Sequence, residues 1–245
     1  MVGLVSILRP TSKPQGEMNM KRTVAFTAVA ATMALTGQMA APALADDDRK
    51  LEAVPFEFVG KAGDCGAAAG SRIVTAAWLK GMGLPDTDDP NKKDRHSGLL
   101  LSKNGPTPDC SAAGASIKGV KGMTVAETFE VGFDYRNGGH CGAGAPRFNV
   151  TTRDGVFSFV GGCANGTPSP APQDPSEWTR VRINVTSPSQ AFPPLAVGSE
   201  IESISIIHDE GTDTANNDTQ GVGLAVVDNI FINGELITGR GKDDD

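Results

Sequence analysis

The sequence predicts an all-β protein, an antiparallel β-sandwich of the jelly-roll type that carries two disulfides. Short segments of alternating apolar and polar residues recur between turn-forming residues, and glycine and proline are abundant at 30 and 16 residues. No segment shows the periodicity of an amphipathic helix. Many short strands separated by turns are typical of a sandwich, with a barrel as the alternative.

Residues 1–45 are predicted to be an upstream extension followed by a secretory signal peptide. Lys21 and Arg22 precede an apolar run that begins at Val24 and closes on the small-x-small sequence Ala43–Ala45. These are the three regions of a signal peptide. The apolar run is shorter than the roughly 20 residues of a membrane-spanning helix. We therefore expect no membrane span, cleavage after Ala45, and secretion to the periplasm or the extracellular space.

The remaining chain is predicted to form one domain. Residues 46–54 are expected to be a charged tail, 55–238 the sandwich, and 239–245 a disordered acidic tail. The formal net charge is −7, and it becomes −10 once residues 1–45, with four Lys/Arg and one Glu, are removed. Binding to nucleic acid requires clustered Lys and Arg. We expect no nucleic-acid partner, and a monomer.

The first strands are short and separated by a long loop. Phe56–Phe58 alternates as a strand, and Ser71–Leu79 is apolar enough for another, with one helical turn near Thr75–Lys80 as the alternative. Residues 83–97 consist of turn formers and charges and are expected to be exposed. A further strand begins at Gly98 and is broken after Leu101 by Asn104-Gly105-Pro106.

The middle of the chain predicts a strand and a hairpin. Apolar residues occupy every second position from Phe129 to Tyr135, which is strand spacing with one buried face. Asp154-Gly155 lies between two alternating runs and predicts a two-residue type I′ turn. That turn would place Val150 opposite Phe159, and Pro146 opposite Cys163.

The last strands are the most regular. The segments with strand alternation are Trp178–Val185, Ser199–His208, Leu224–Ile232 and Glu235–Ile237. Asn233-Gly234 between the last two predicts a second hairpin turn.

Four cysteines follow the predicted cleavage site, and an even number in a secreted chain predicts two disulfides with three possible connectivities. The predicted hairpin and the flexible linker Gly142–Ala145 bring Cys141 toward Cys163. We therefore predict the pair Cys141–Cys163, which leaves Cys65–Cys110.

The motif Val227-Asp228-Asn229-Ile230-Phe231-Ile232-Asn233-Gly234 resembles the closing strand of exported bacterial β-sandwich proteins, which are similar to carbohydrate-binding-module jelly rolls. The resemblance implies such a jelly roll. It also implies a structural Ca²⁺ between the first and last strands, for which Glu57 and Asp228 are the matching positions.

The stretch from Phe133 to Val150 raises a catalytic hypothesis, because Asp134, Arg136 and His140 are close together. No partner that would complete an acid/base site is evident, and the adjacent His140 and Cys141 lack the spacing of a zinc site. A strand end followed by a glycine turn is the simpler interpretation. We retain one candidate ligand-binding face, formed by Asp134, Arg136, Arg180 and Arg182.

A second candidate is Ca²⁺ in the acidic loop that begins at Asp209. Asp209, Glu210 and Asp213 supply closely spaced oxygen ligands. A solvated turn is the alternative. No organic cofactor is expected.

These observations predict a secreted, non-catalytic binding module whose partner would be an extracellular polysaccharide or cell-wall glycan. The first alternative is a secreted glycoside hydrolase or lyase, which requires a suitably spaced carboxyl pair. The second is a structural or adhesive surface protein with no small ligand.

Overall fold

The computed structural model describes residues 50–61, 73–85, 97–212 and 223–239, all within one unit that spans Asp47–Asp245. The predicted signal peptide, Cys65, Asp213 and the acidic tail after residue 239 lie outside the described residues. Within them, no helix is long and apolar enough to cross a membrane.

The described residues form two antiparallel sheets, which confirms the predicted β-sandwich. Sheet A has the order β1-β4-β11-β6-β7-β10. Its strands are β1 (Glu52–Phe58), β4 (Ala112–Lys118), β6 (Arg147–Thr152), β7 (Phe157–Gly161), β10 (Ala191–Phe192) and β11 (Ile201–His208).

Sheet B has the order β2-β3-β12-β5-β9-β8, and β13 pairs with β12. Its strands are β2 (Ile73–Lys80), β3 (Ser97–Asn104), β5 (Glu130–Arg136), β8 (Thr167–Pro170), β9 (Trp178–Asn184), β12 (Leu224–Ile232) and β13 (Glu235–Ile237). Two 3₁₀ turns, Thr107–Asp109 and Cys163–Asn165, connect strands.

One boundary prediction is corrected, and one open alternative is decided. The charged tail was expected to reach residue 54, but β1 begins at Glu52 and Ala53 is fully buried opposite Ile117. The alternation of apolar residues at the start of β1 is short and follows a run of charged residues, so the sequence did not indicate a strand there. The segment near Thr75–Lys80 is a strand paired along its length with β3 and not a helical turn.

The β6–β7 hairpin forms with a different turn from the one predicted. Gly155 has φ of 88° and its N–H donates to the carbonyl of Thr152, so the turn is followed by a bulge rather than being a two-residue type I′ turn. Thr152 further stabilises it, because its hydroxyl oxygen accepts the Val156 N–H at 3.1 Å. The register therefore moves by one residue, and Val150 lies opposite Ser158.

The core lies between the two sheets. Phe133 from β5 and Phe148 from β6 are both fully buried, with ring centroids 5.8 Å apart. Each buried phenylalanine contributes about 2–3 kcal/mol through removal of apolar surface from water. The alternation from Phe129 to Tyr135 thus predicted the buried face of β5 correctly.

The predicted disulfide Cys141–Cys163 is present, with Cα atoms 4.9 Å apart and both residues almost fully buried. It is the one disulfide whose two cysteines both lie among the described residues. No described cysteine is a free thiol. The predicted pair Cys65–Cys110 includes Cys65, which lies outside the described residues.

Candidate functional site

The sheet face predicted to bind a ligand is organised around a buried ion pair. Asp134 is fully buried, and its two carboxylate oxygens accept hydrogen bonds from Arg180 at 2.9 and 3.0 Å. Asn229 donates to the same carboxylate at 2.9 Å. Because Asp134 has no exposed surface, it acts as a structural anion and has no access to a ligand.

The other residues of that face differ in their environment. Arg136 is exposed at the end of β5. The guanidinium of Arg182 lies 4.4 Å from the ring centroid of Phe231. Burial lowers the pKa of Arg182 to about 10, although the charge of Asp134 opposes this shift. Three of the four predicted residues, Asp134, Arg180 and Arg182, therefore form a partly covered charge network rather than an open groove.

The predicted calcium ligands are separated in the fold or engaged with protein donors. Glu57 lies on β1 of sheet A and accepts the Ala76 N–H, whereas Asp228 lies on β12 of sheet B and accepts the N–H groups of Leu84 and Asn229. The described residues contain no group of three or more His, Cys, Asp or Glu side chains that could hold a metal. Because Asp213 lies outside them, calcium in the acidic loop stays a prediction.

A cleft of about 550 Å³ opens on the outer face of sheet A, at the end of β6, β7 and β10. Its walls come from the 3₁₀ turn after β3, the loop after β5, the second 3₁₀ turn and the chain after β11. The lining residues are Thr107, Pro108, Cys110, Ala143, Gly144, Arg147, Phe159, Gly161, Asn165, Phe192, Asp209 and Glu210. We call this site the sheet A cleft.

Exposed phenylalanines form one side of the cleft and continue beyond it. Phe159 on β7 and Phe192 on β10 are cross-strand neighbours, and they are 44% and 48% exposed. The ring of Phe157 packs edge-to-face against Phe159, with centroids 5.0 Å apart. We call these three residues the phenylalanine platform.

The orientation of β7 is the reverse of what hydrophobicity predicts. Ser158 and Val160 face the core, while Phe157 and Phe159 face solvent. Ser158 tolerates burial because its hydroxyl donates to the Pro193 carbonyl at 2.6 Å. On most strands the apolar side chains face the core and the polar ones face solvent, and β7 shows the opposite arrangement. Exposed apolar side chains of this kind mark interaction surfaces.

The ion pair of Arg147 and Asp209 lies directly beside the platform. Two hydrogen bonds of 2.6 and 2.7 Å join the guanidinium to the carboxylate. The guanidinium carbon also lies 5.0 Å from the centroid of the Phe159 ring. Burial raises the pKa of Asp209, but the hydrogen bond and charge of Arg147 outweigh it, so the pKa is lowered overall. Asp209 is therefore an anion at neutral pH.

Glu210 supports the loop after β5. One of its carboxylate oxygens lies 2.6 Å from Nε2 of His140 and accepts the Ala145 N–H at 3.1 Å. Gly142 and Gly144 approach this carboxylate so closely that a Cβ at either position would lie within 2.4 Å of it. These two glycines, which were predicted to let the linker bring Cys141 toward Cys163, thus also allow the loop to pack against Glu210.

A buried basic layer lies beneath the cleft. His140 and His208 are fully buried in edge contact, with centroids 5.3 Å apart. Burial lowers the pKa of His208 to about 3, and His140 and Lys103 add to this effect. Lys103 is also fully buried, and its Nζ donates to the backbone carbonyls of Thr107 and Asp209.

The fold and the site together define an antiparallel β-sandwich with an aromatic-lined surface cleft. Protein-family models, curated proteins and solved structures were compared with the chain, and no match was found.

Of the residues that line the cleft, three were predicted from the sequence to have a role: Asp209 and Glu210 as calcium ligands and Cys110 as a disulfide partner. Arg147, Phe159 and Phe192 were not predicted, since an isolated Arg or Phe on a strand carries no motif. One sequence feature could have indicated the exposed phenylalanines. In Phe157-Ser158-Phe159-Val160, the alternation allows either the two phenylalanines or Ser158 and Val160 to face the core.

Proposed function

We propose that this protein is a non-catalytic glycan-binding module and that the sheet A cleft with its phenylalanine platform is the binding site. The observation that carries the proposal is the pair of cross-strand phenylalanines, Phe159 and Phe192, kept about half exposed beside a cleft of about 550 Å³.

The chemistry of the platform suits a pyranose ring. The face of an aromatic ring carries partial negative charge and attracts the weakly positive C–H groups of a sugar. The guanidinium of Arg147 fixes the Phe159 ring from one side, which reduces the entropy lost on binding. Hydroxyl groups at the rim of the sugar could reach the polar wall formed by Asp209, Glu210 and Asn165.

The state of Asp209 argues against its use as the general acid of a glycoside hydrolase. Hydrolysis requires one carboxylic acid that is protonated at working pH and so has a raised pKa. The Arg147 pair instead lowers the pKa of Asp209. Under the binding proposal, incubation of the mature chain with polysaccharides should release no reducing ends, and release above that of a heat-denatured sample would support the hydrolase alternative.

The binding proposal is tested with a glycan array followed by titration calorimetry on the best-bound glycan. Phe159→Ala and Phe192→Ala should each weaken binding by at least about tenfold, as expected for aromatic anchors. The matched control is Phe58→Ala, because Phe58 is 46% exposed on β1 and does not line the cleft.

Three results would contradict the proposal. They are the absence of binding to any glycan, unchanged affinity in both cleft variants, or an equal loss in Phe58→Ala. The first would favour the structural or adhesive alternative.

A further inference from the structure

Among the described residues, the hydrogen-bonding atoms left without a partner on the cleft side chains of Arg147, Asn165, Asp209 and Glu210 are mainly acceptors, and this restricts the chemistry of a ligand. We propose that the cleft selects uncharged glycan chains, which donate hydrogen bonds through hydroxyl groups, and discriminates against chains that carry carboxylates. This inference rests on the proposed function and names its ligand class.

Arg147 is the only cation among the described residues that line the cleft, and its donors are already engaged. Its Nε donates to Asn149, its Nη1 to Gly144 and Asp209, and its Nη2 to Asp209. These four hydrogen bonds use all but one of the N–H groups of a guanidinium. Arg147 therefore cannot bind a ligand carboxylate through two parallel hydrogen bonds without breaking its pair with Asp209.

Asn165 is the other nitrogen-bearing side chain of the cleft. Its amide nitrogen donates to the carbonyls of Ala143 and Gly161, both at 3.0 Å. Two carbonyl partners fix the orientation of the amide and use both of its N–H groups. What Asn165 leaves for a ligand is its carbonyl oxygen, Oδ1, which is an acceptor.

The two carboxylates supply further acceptors. Both hydrogen bonds of the Glu210 side chain go to Oε2, and Oε1 accepts no hydrogen bond from the described residues. The Asp209 side chain is 33% exposed and keeps lone pairs beyond those that Arg147 occupies. The buried cation below, Lys103, donates to backbone carbonyls under the cleft and does not line it.

The cleft therefore favours binding of a ligand that donates hydrogen bonds. A sugar hydroxyl can satisfy Glu210 Oε1, Asn165 Oδ1 and Asp209. A ligand carboxylate brings no donor, faces two like charges and loses water without gaining an ion pair. We expect a preference of at least about tenfold, since a single unfavourable charge juxtaposition in an interface suffices for that.

The test compares two forms of one glycan. The neutral oligosaccharide that binds best on the array is converted to the corresponding uronate by selective oxidation of its primary hydroxyls, which leaves the backbone and length unchanged. Calorimetry on the wild-type chain should give at least about tenfold tighter binding of the neutral form. Added salt should reduce this ratio, because screening weakens the repulsion.

A variant tests the origin of the selectivity. Asp209→Asn removes one anion and releases Arg147 from its counterion, so it should improve binding of the oxidised form and narrow the ratio. The matched control is Glu200→Gln, because Glu200 is an exposed carboxylate paired with Arg153 and does not line the cleft. Glu210→Gln serves as a second variant if Asp209→Asn does not fold.

Equal or tighter binding of the oxidised glycan by the wild-type chain would overturn the selectivity while the proposed function stands. An unchanged ratio in both folded cleft variants would also overturn it. Binding of neither form would overturn the proposed function and this inference together.

Discussion

Asp134 on β5 and Arg180 on β9 form an ion pair through two parallel hydrogen bonds, and they are direct cross-strand neighbours in sheet B. The carboxylate is fully buried while the Arg180 side chain is 24% exposed. Arg182 adds a weaker contact at 3.6 Å. The Asp134 carboxylate therefore lies between two cations, Arg180 and Arg182, on sheet B.

Replacement of Asp134 by Ala should lower the free energy of unfolding by about 3 kcal/mol, because removal of one partner leaves charged groups uncompensated. Urea denaturation followed by tryptophan fluorescence measures this. Glu200→Ala removes a partner from the exposed pair with Arg153 and should leave stability nearly unchanged. An equal effect of the two substitutions would contradict the structural role of Asp134.

The disulfide Cys141–Cys163 should contribute about 3 kcal/mol to stability, because it closes a loop with a sequence separation of 22. The double variant Cys141→Ser/Cys163→Ser should lower the urea midpoint accordingly. Ala143, Gly144 and Asn165 adjoin these cysteines and line the cleft, so glycan affinity should fall as well. Full affinity in the folded double variant would show that the cleft walls hold without the bridge.

His208 should make stability depend on pH. Its pKa is about 3 in the folded chain and 6.5 ordinarily, so between these values the unfolded chain binds a proton that the folded chain does not. Stability from this group is complete above about pH 6.5 and is lost as the pH falls toward about 3. Asp209 acts in the same direction, but only near and below its ordinary pKa of 3.8.

The melting temperature should therefore fall between pH 6.5 and 5, before Asp209 contributes. In His208→Gln the fall over this range should be smaller. Identical slopes in the two proteins would show that His208 takes up its proton equally well in the folded state.

The packing of the two sheets against each other should depend on Phe133. Phe133→Ala removes a ring that stacks on Phe148 of the other sheet and should cost about 4 kcal/mol. Phe58→Ala serves as the control, since Phe58 is exposed on an edge strand. Equal urea midpoints for these two variants would contradict the assignment of Phe133 to the core.

The strands were predictable where one side of the alternation was clearly apolar. The run from Phe129 to Tyr135 and the segment Leu224–Ile232 carry that signal, and both form strands. The register of the β6–β7 hairpin was not predictable, because Asp154-Gly155 suits more than one turn type and the side chain of Thr152 influences the choice.

The candidate site was less predictable than the fold. Thr107, Arg147, Phe192 and Asp209 are far apart in sequence, and only the pairing of strands brings them together. Asp134 and Arg180 could be placed on one face, but the sequence does not show that Leu84 packs with Trp178 and Val226 and donates its N–H to Asp228 at 2.7 Å. No local pattern encodes these contacts.

The strand order also determines at what point during synthesis the two sheets can fold. β11 lies between β4 and β6 in sheet A, and β12 lies between β3 and β5 in sheet B. Each sheet thus receives an interior strand from residues beyond 200. Before β11 and β12 have left the ribosome, the flanking strands of both sheets lack the strand that joins them, so folding of the sandwich must wait until the chain has been synthesised through Ile232.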